Sequence, residues 1–175
     1  LDDPIVGGII NAVWQALPSW FPTIRLDEFV VMPNHIHFII WMINYAGEVS
    51  LDEGKMDGSK SHPYKIPKPA KINSAPALGD VVGAFKSLVF KVYLDWIKAN
   101  DPTRRAKFWQ ENYYEHIIRN DSELNVIRQY IIDNPINWNR DRDNLENQCK
   151  LPPPQKVEDY LEDIDQLMPQ VNDED

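Results

Sequence analysis

A chain of 175 residues, of which 43% are hydrophobic, is long enough for one ordinary domain with an apolar core. Its single cysteine, Cys149, excludes an internal disulfide framework and a multi-cysteine zinc site. No stretch approaches the ~20 apolar residues that span a bilayer, and the start lacks the pattern of a secretory leader. We therefore expect a soluble protein of the cytoplasm that has no membrane partner.

The net charge of −9 argues by itself against a nucleic-acid partner, but the charge is unevenly distributed. Residues 141–175 hold eleven acidic and three basic residues, a net charge of −8. Residues 55–119 hold twelve basic and six acidic residues, a net charge of +6. The whole-chain charge therefore does not decide the partner.

The hydrophobic pattern predicts three helices and three strands. Helices are indicated by apolar residues at helical spacing, and strands by short runs of apolar, β-branched and aromatic residues. In chain order these are a helix over Ile5–Leu17, strands over Ile24–Met32 and His35–Ile43, a helix over Gly79–Ala99, a strand over Phe108–Arg119, and a helix that Asn120 or Asp121 caps.

Prolines are expected to set the boundaries between these elements. Pro18 should end the first helix, and the tight turn at Pro33-Asn34 should make the first two strands antiparallel. Asn134 should end the last helix, because a residue that precedes a proline is biased out of helical geometry. Residues 44–78 have no sustained period and are predicted to form a long loop.

The order of the elements predicts an α+β fold. It is that of a ferredoxin-like split βαβ domain, with an antiparallel sheet and helices on one face, whose first strand is missing from this chain. Residues 1–144 are therefore predicted to be one domain that is incomplete at its N-terminal side. Residues 145–175 are predicted to be an acidic, flexible tail.

Two histidines, His35 and His37, are separated by one hydrophobic residue in an apolar strand. Alternation along a strand places both imidazoles on the same face. An apolar strand gains nothing from adjacent imidazoles unless something binds them, and neutral imidazole is the commonest protein ligand for a divalent metal. The pair therefore predicts a metal site.

Tyr130 and Asn134 are four residues apart in the last predicted helix, so their side chains share one face. Together with the histidine pair, the amide oxygen would complete a site with positions open for a ligand oxygen. Such a site suits Mg²⁺ or Mn²⁺ bridging to a phosphate. The Tyr130 hydroxyl is the candidate nucleophile, and Tyr113 or Tyr114 is its rival.

Four motifs follow one another along most of the chain. They are LDEFVVMPNHIHFII at 26–40, VGAFKS at 82–87, FWQENYYEHIIRN at 108–120 and IRQYIIDNP at 127–135. Together they resemble the single-tyrosine HUH transposases, whose name stands for histidine, hydrophobe and histidine. Within that family they are most similar to the REP-associated tyrosine transposases of bacteria.

The resemblance implies a ferredoxin-like fold and a DNA transposase. Such an enzyme is a metal-dependent endonuclease and strand transferase that acts on single-stranded DNA, usually beside hairpins, through a 5′-phosphotyrosine intermediate. His35 and His37 correspond to the metal-binding pair of the family, and Tyr130 corresponds to its nucleophile. Asn134 corresponds to the third metal ligand, which is a glutamine in some relatives.

The resemblance also implies contacts with DNA in the bacterial cytoplasm, by a monomer or homodimer. Lys86 lies in the helix that is near the DNA in the family, and Lys91 and Arg119 are further candidates from the basic middle of the chain. Two alternatives remain open. One is a domesticated DNA-hairpin-binding protein of the same fold without transposition, and the other is a small metallohydrolase that uses water.

Overall fold

The computed structural model describes residues 1, 3–43, 63–67, 76–106, 109–110, 113–141 and 143–147. Within these ranges the fold is α+β, with two antiparallel strands and three α-helices, consistent with the predicted split βαβ ferredoxin-like arrangement. The elements are α1 (Pro4–Trp20), β1 (Ile24–Val31), β2 (Ile36–Met42), α2 (Leu78–Asn100), α3 (Asp121–Asp133) and a short 3₁₀ helix over Trp138–Arg140.

The chain divides into two compact units. The first unit contains Leu1, Glu28–Ile39 and the described part of Gln110–Asp175. The second contains the described parts of Asp2–Asp27 and Ile40–Trp109. The candidate site lies in the first unit.

The second unit is built on the packing of α1 against α2. Both helices carry apolar residues at helical spacing, and the side chain of Trp14 meets that of Phe85 edge-on with ring centroids 6.4 Å apart. The buried residues of these helices include Ile9, Ile10, Val13, Trp14, Leu17, Val81, Phe85, Val89 and Val92. No helix within the described ranges is long and apolar enough to cross a membrane.

Pro18 lies inside α1, so the prediction that it ends the helix was wrong. A proline removes the hydrogen bond from its own nitrogen to the carbonyl four residues earlier, but the residues after it can still donate. The amide of Phe21 donates to the carbonyl of Leu17 at 2.9 Å, which closes the last turn. The helix therefore continues to Trp20.

The first unit has a small apolar core between β2 and α3. Its buried members are Ile39, Leu124 and Ile131. Around them pack the partly buried side chains of Val30, Ile118, Ile127 and Tyr130. Because successive strand residues alternate between faces, the side of β2 that carries Ile39 also carries His37.

The third predicted strand, over Phe108–Arg119, was wrong for the described residues, since 109–110 and 113–119 include no strand. Aromatic and β-branched residues suggested a strand, but Ile117 is 74% exposed and most of the segment faces solvent. The segment attaches instead to the first turn of α3. The Glu123 carboxylate accepts from the Arg119 amide at 2.8 Å and contacts His116 Nε2 at 2.5 Å.

The start of α3 agrees with the prediction. The helix also ends next to Asn134, but not for the predicted reason. The side chain of Asn120 accepts a hydrogen bond from the amide of Glu123 at 2.8 Å and caps the helix. The helix ends at Asp133, but Asn134 keeps helical angles of φ −54° and ψ −44°. The expectation that Pro135 forces its predecessor out of helical geometry was therefore wrong.

Replacement of Asn120 by alanine removes this cap, so we expect the free energy of unfolding to fall by about 1 kcal/mol. Asn125→Ala is the matched control, because Asn125 is exposed in the middle of the same helix and alanine has the higher helix propensity. Urea unfolding followed by circular dichroism measures both. Equal losses in the two variants would contradict the assigned cap.

Candidate metal centre beside a tyrosine

The hairpin between β1 and β2 brings the histidine pair to α3. His35 stands just before β2, and His37 is the second residue of the strand. The ring of His37 meets the ring of Tyr130 at a steep angle, with centroids 5.4 Å apart. Because Ile39 two residues further on is buried against α3, this register holds the histidine face of β2 over the helix. The structure thus brings together the two histidines predicted to bind metal and the tyrosine predicted to be the nucleophile.

The two imidazoles face each other through the same ring atom. His35 Nε2 and His37 Nε2 lie 2.9 Å apart, and the ring planes are nearly perpendicular, at 80°. His35 is largely buried, with 18% of its side chain exposed. This separation is that of a hydrogen bond between the two nitrogens.

Asn34 decides which nitrogen of His35 carries the proton. The Asn34 side-chain amide donates from its nitrogen to the backbone carbonyl of Asp143 at 2.5 Å. A carbonyl can only accept, so Asn34 Oδ1 must face the other way, and it lies 2.8 Å from His35 Nδ1. His35 therefore donates from Nδ1, and the lone pair of its Nε2 points towards His37.

Burial keeps both imidazoles neutral. Desolvation lowers the pKa of His35 to about 4. Desolvation, with the charge of His35 as a second cause, lowers the pKa of His37 to about 3, against a smaller raising effect of Asp143. Neutral imidazole is the form that binds a metal, so neither histidine has to lose a proton at neutral pH before it coordinates one.

The spacing of the two Nε2 atoms fits a shared cation. Two nitrogen ligands that lie about 2.1 Å from an ion and at right angles to each other are about 3 Å apart. The observed 2.9 Å matches the neighbouring positions of an octahedral ion. Without metal, His37 Nε2–H donates to His35 Nε2, and coordination by His37 Nε2 would require that proton to move to Nδ1 of the same ring.

Asn134 also has properties of a ligand. Its helical backbone angles keep its side chain one turn beyond that of Tyr130 on α3. The residue is only 3% exposed, and within the described part of the chain its Oδ1 has no hydrogen-bond donor. A buried carbonyl oxygen left without a donor costs free energy that a bound cation would recover.

Three residues near the histidines were missed by the sequence reasoning. Asp141 Oδ2 lies 3.8 Å from His35 Nε2, and Asp143 Oδ2 lies 3.9 Å from His35 Nδ1. Trp138 stacks obliquely on His35, with ring centroids 6.0 Å apart. The signal is the pair of aspartates at 141 and 143, which enters the sequence analysis only through the net charge of residues 141–175.

The rival nucleophiles belong to the first unit. Tyr113 and Tyr114 are exposed in the segment before α3. Desolvation and the nearby Glu115 carboxylate raise the pKa of Tyr113, which makes its tyrosinate harder to form.

Of the candidate DNA contacts, Arg119 belongs to the first unit and is exposed, while its amide binds Glu123. Lys86 and Lys91 lie on α2 of the second unit, where Lys91 Nζ pairs with Asp95 at 3.4 Å. The basic residues of 44–62 and 68–75 lie outside the described residues, as does the acidic tail beyond residue 147.

These features define an α+β protein in which a hairpin and a helix enclose two neutral, facing histidines beside a tyrosine. The chain is 34% identical over 140 residues to a protein of Haemophilus influenzae described as uncharacterized. The aligned part covers 78% of this chain and 68% of that protein. The chain belongs to the same family as the Haemophilus influenzae protein. No protein-family model matches the chain, and no solved structure matches it.

The lowered pKa values of the histidines predict a pH-dependent stability of the metal-free protein. Histidine in the unfolded chain takes up a proton near pH 6.5, whereas His35 and His37 in the folded protein stay neutral down to about pH 4 and pH 3. The free energy of unfolding should therefore fall as the pH drops below 6.5, by at most about 1.4 kcal/mol per pH unit for each histidine.

Urea unfolding in the presence of a chelator, at about pH 7 and about pH 5, measures this effect. The double variant His35→Gln/His37→Gln is the control, because it keeps His116 and all carboxyl groups while it removes the two buried imidazoles. The loss on acidification should be smaller in the control than in the natural protein. Equal losses would show that the two histidines are not buried in the neutral form.

Proposed function

We propose that this protein is a metal-dependent endonuclease and strand transferase for single-stranded DNA, with Tyr130 as its nucleophile. One observation carries the proposal. The ring of Tyr130 lies 5.4 Å, centroid to centroid, from that of His37, whose Nε2 faces the Nε2 of His35 at 2.9 Å. Two metal-binding histidines beside a tyrosine on a helix are the arrangement that the resemblance to HUH transposases implies.

The cation of this proposal is Mg²⁺ or Mn²⁺, held by His35, His37 and Asn134. This ligand set would leave coordination positions for oxygens of the DNA backbone. Once bound there, the cation supplies Lewis-acid stabilisation of the charge that develops on the scissile phosphate.

Tyr130 performs the bond exchange in this proposal. Its phenol oxygen forms a bond to the phosphorus while the bond from phosphorus to the 3′-oxygen breaks. The phenol proton passes to solvent, and the departing 3′-oxygen takes up a proton to become a free hydroxyl. The products are a 5′-phosphotyrosine and a 3′-hydroxyl end. Because the phosphoester retains the energy of the original bond, a 3′-hydroxyl can reverse the step and rejoin or transfer DNA.

The packing of Tyr130 suits this task. Its ring lies against the cluster of Ile39, Leu124 and Ile131 and also against the imidazole of His37. A ring held on two sides loses little further freedom when the phosphate arrives, and a nucleophile positioned in advance lowers the entropic cost of the reaction.

DNA affinity in this proposal comes from basic side chains. Lys86, Lys91 and Arg119 are candidate phosphate contacts, together with other basic residues of 55–119. Contacts of this kind release counterions, so binding should weaken steeply as salt is added. Such binding would place the protein with DNA in the bacterial cytoplasm.

Hairpin-flanked single-stranded DNA incubated with the protein and Mn²⁺, then run on a denaturing gel, tests the proposal. A protein–DNA adduct that needs the metal supports the transferase. Cut DNA without an adduct would indicate a hydrolase that uses water. Binding without cutting would indicate a hairpin-binding protein of the same fold.

Tyr130→Phe removes one hydroxyl and keeps the packed ring, so adduct formation should fall by at least about 1,000-fold while the fold persists. Tyr114→Phe is the matched control, since it makes the same change at an exposed tyrosine of the same unit. The gel reports the adduct, and circular dichroism reports the fold. An adduct that survives in the Tyr130 variant would contradict the assignment and direct the search to Tyr113 or Tyr114.

A further inference from the structure

We propose that Asp141 is an additional protein ligand of the cation, so that a carboxylate joins the two histidines and Asn134. This inference rests on the cation of the proposed function and adds a ligand to the set of His35, His37 and Asn134. Asp141 lies beyond the helix that carries Tyr130 and Asn134, on the loop that follows the 3₁₀ helix over Trp138–Arg140.

The distances support a shared ion. Ligand atoms of His35, His37 and Asp141 all lie within 4.8 Å of one another. Two ligands about 2.1 Å from one ion are separated by about 3 Å when adjacent and by about 4.2 Å when opposite. The 2.9 Å between the two Nε2 atoms and the 3.8 Å between His35 Nε2 and Asp141 Oδ2 fall at or within these limits.

The loop directs one carboxylate oxygen of Asp141 towards the histidines. Its Oδ1 accepts a hydrogen bond from the amide of Asp143 at 2.7 Å, which fixes the rotation of the carboxylate. Its Oδ2 is the oxygen that faces His35 Nε2. Since Asn34 makes that nitrogen an acceptor, both atoms are electron-pair donors and lie 3.8 Å apart, as two ligands of one cation can.

Two buried asparagines hold this loop in place. The side-chain amide of Asn144 donates to the carbonyl of Trp138 at 3.0 Å. That of Asn147 donates to the carbonyls of Asn139 at 2.8 Å and of Asp141 at 3.0 Å. Both asparagines are buried. Buried polar side chains used in this way build a fixed position for Asp141, which a solvated surface charge would not need.

Charge and ligand type point to the class of metal. The side chain of Asp141 is only 8% exposed and lies against an imidazole that is neutral, so a cation in the same space would offset the cost of burying the carboxylate. Two imidazoles and one carboxylate suit first-row divalent metals such as Mn²⁺ and Fe²⁺ better than Mg²⁺, which favours oxygen ligands. Mn²⁺ should therefore bind more tightly than Mg²⁺.

Calorimetric titration of the full chain with Mn²⁺ alone, without DNA, tests this proposal. Asp141→Asn keeps the shape of the side chain and an oxygen for the Asp143 amide, and it should weaken Mn²⁺ binding by about 10-fold or more. Asp143→Asn is the matched control, because it removes a carboxylate equally near to the same histidine, at 3.9 Å from Nδ1. The control should bind Mn²⁺ within about threefold of the natural protein.

Three other outcomes of the Mn²⁺ titrations would each contradict a different claim. If His35→Ala and His37→Ala lose Mn²⁺ binding while Asp141→Asn keeps it, Asp141 is not a ligand and the proposed function stands. If both aspartate variants lose Mn²⁺ affinity equally, the loss comes from the removed negative charge near the cation and not from ligation by Asp141. If the histidine variants keep Mn²⁺ binding, the metal part of the proposed function itself fails.

Should Asp141→Asn unfold, the natural protein still gives an answer. Mg²⁺ titration of protein labelled with ¹³C at aspartate carboxyl carbons should then shift the Asp141 signal more than the Asp143 signal. Equal shifts would overturn the ligand assignment.

Discussion

One hydrogen bond, from the side-chain amide of Asn34 to the backbone carbonyl of Asp143, sets the chemistry of the site. Because the carbonyl can only accept, the bond fixes the orientation of the amide, and the amide oxygen in turn fixes the proton of His35 on Nδ1. The lone pair of His35 Nε2 then faces His37, and Asp141 Oδ2 lies 3.8 Å from the same nitrogen. The same bond ties the hairpin to the loop that carries the carboxylate, so the proposed ligands on two separate segments are positioned by one side chain.

The apolar core of the first unit supplies the second constraint. Ile39 on β2 packs against α3, and strand alternation then places the histidine face over the same helix. A register shift of one residue would bury neighbouring side chains and turn both imidazoles away. Packing therefore determines the approach of Tyr130 to His37, and the polar network determines which atoms face each other.

The sequence predicted the parts of the site that depend on local periodicity. Alternation placed His35 and His37 on one strand face, and the spacing of Tyr130 and Asn134 placed both on one turn of a helix. Asp141 could not be found in this way, because its position depends on a loop held by hydrogen bonds to distant backbone groups. The strand predicted over Phe108–Arg119 failed for a related reason: propensity describes a residue's preference, whereas a strand also requires a partner edge.

The central claim is that the facing Nε2 atoms bind a cation beside Tyr130. Anomalous diffraction from crystals of the protein soaked in Mn²⁺ locates such an ion directly. The account predicts an anomalous peak within about 2.3 Å of both Nε2 atoms. A peak at another place, or two imidazoles that remain hydrogen-bonded to each other at saturating Mn²⁺, would contradict it.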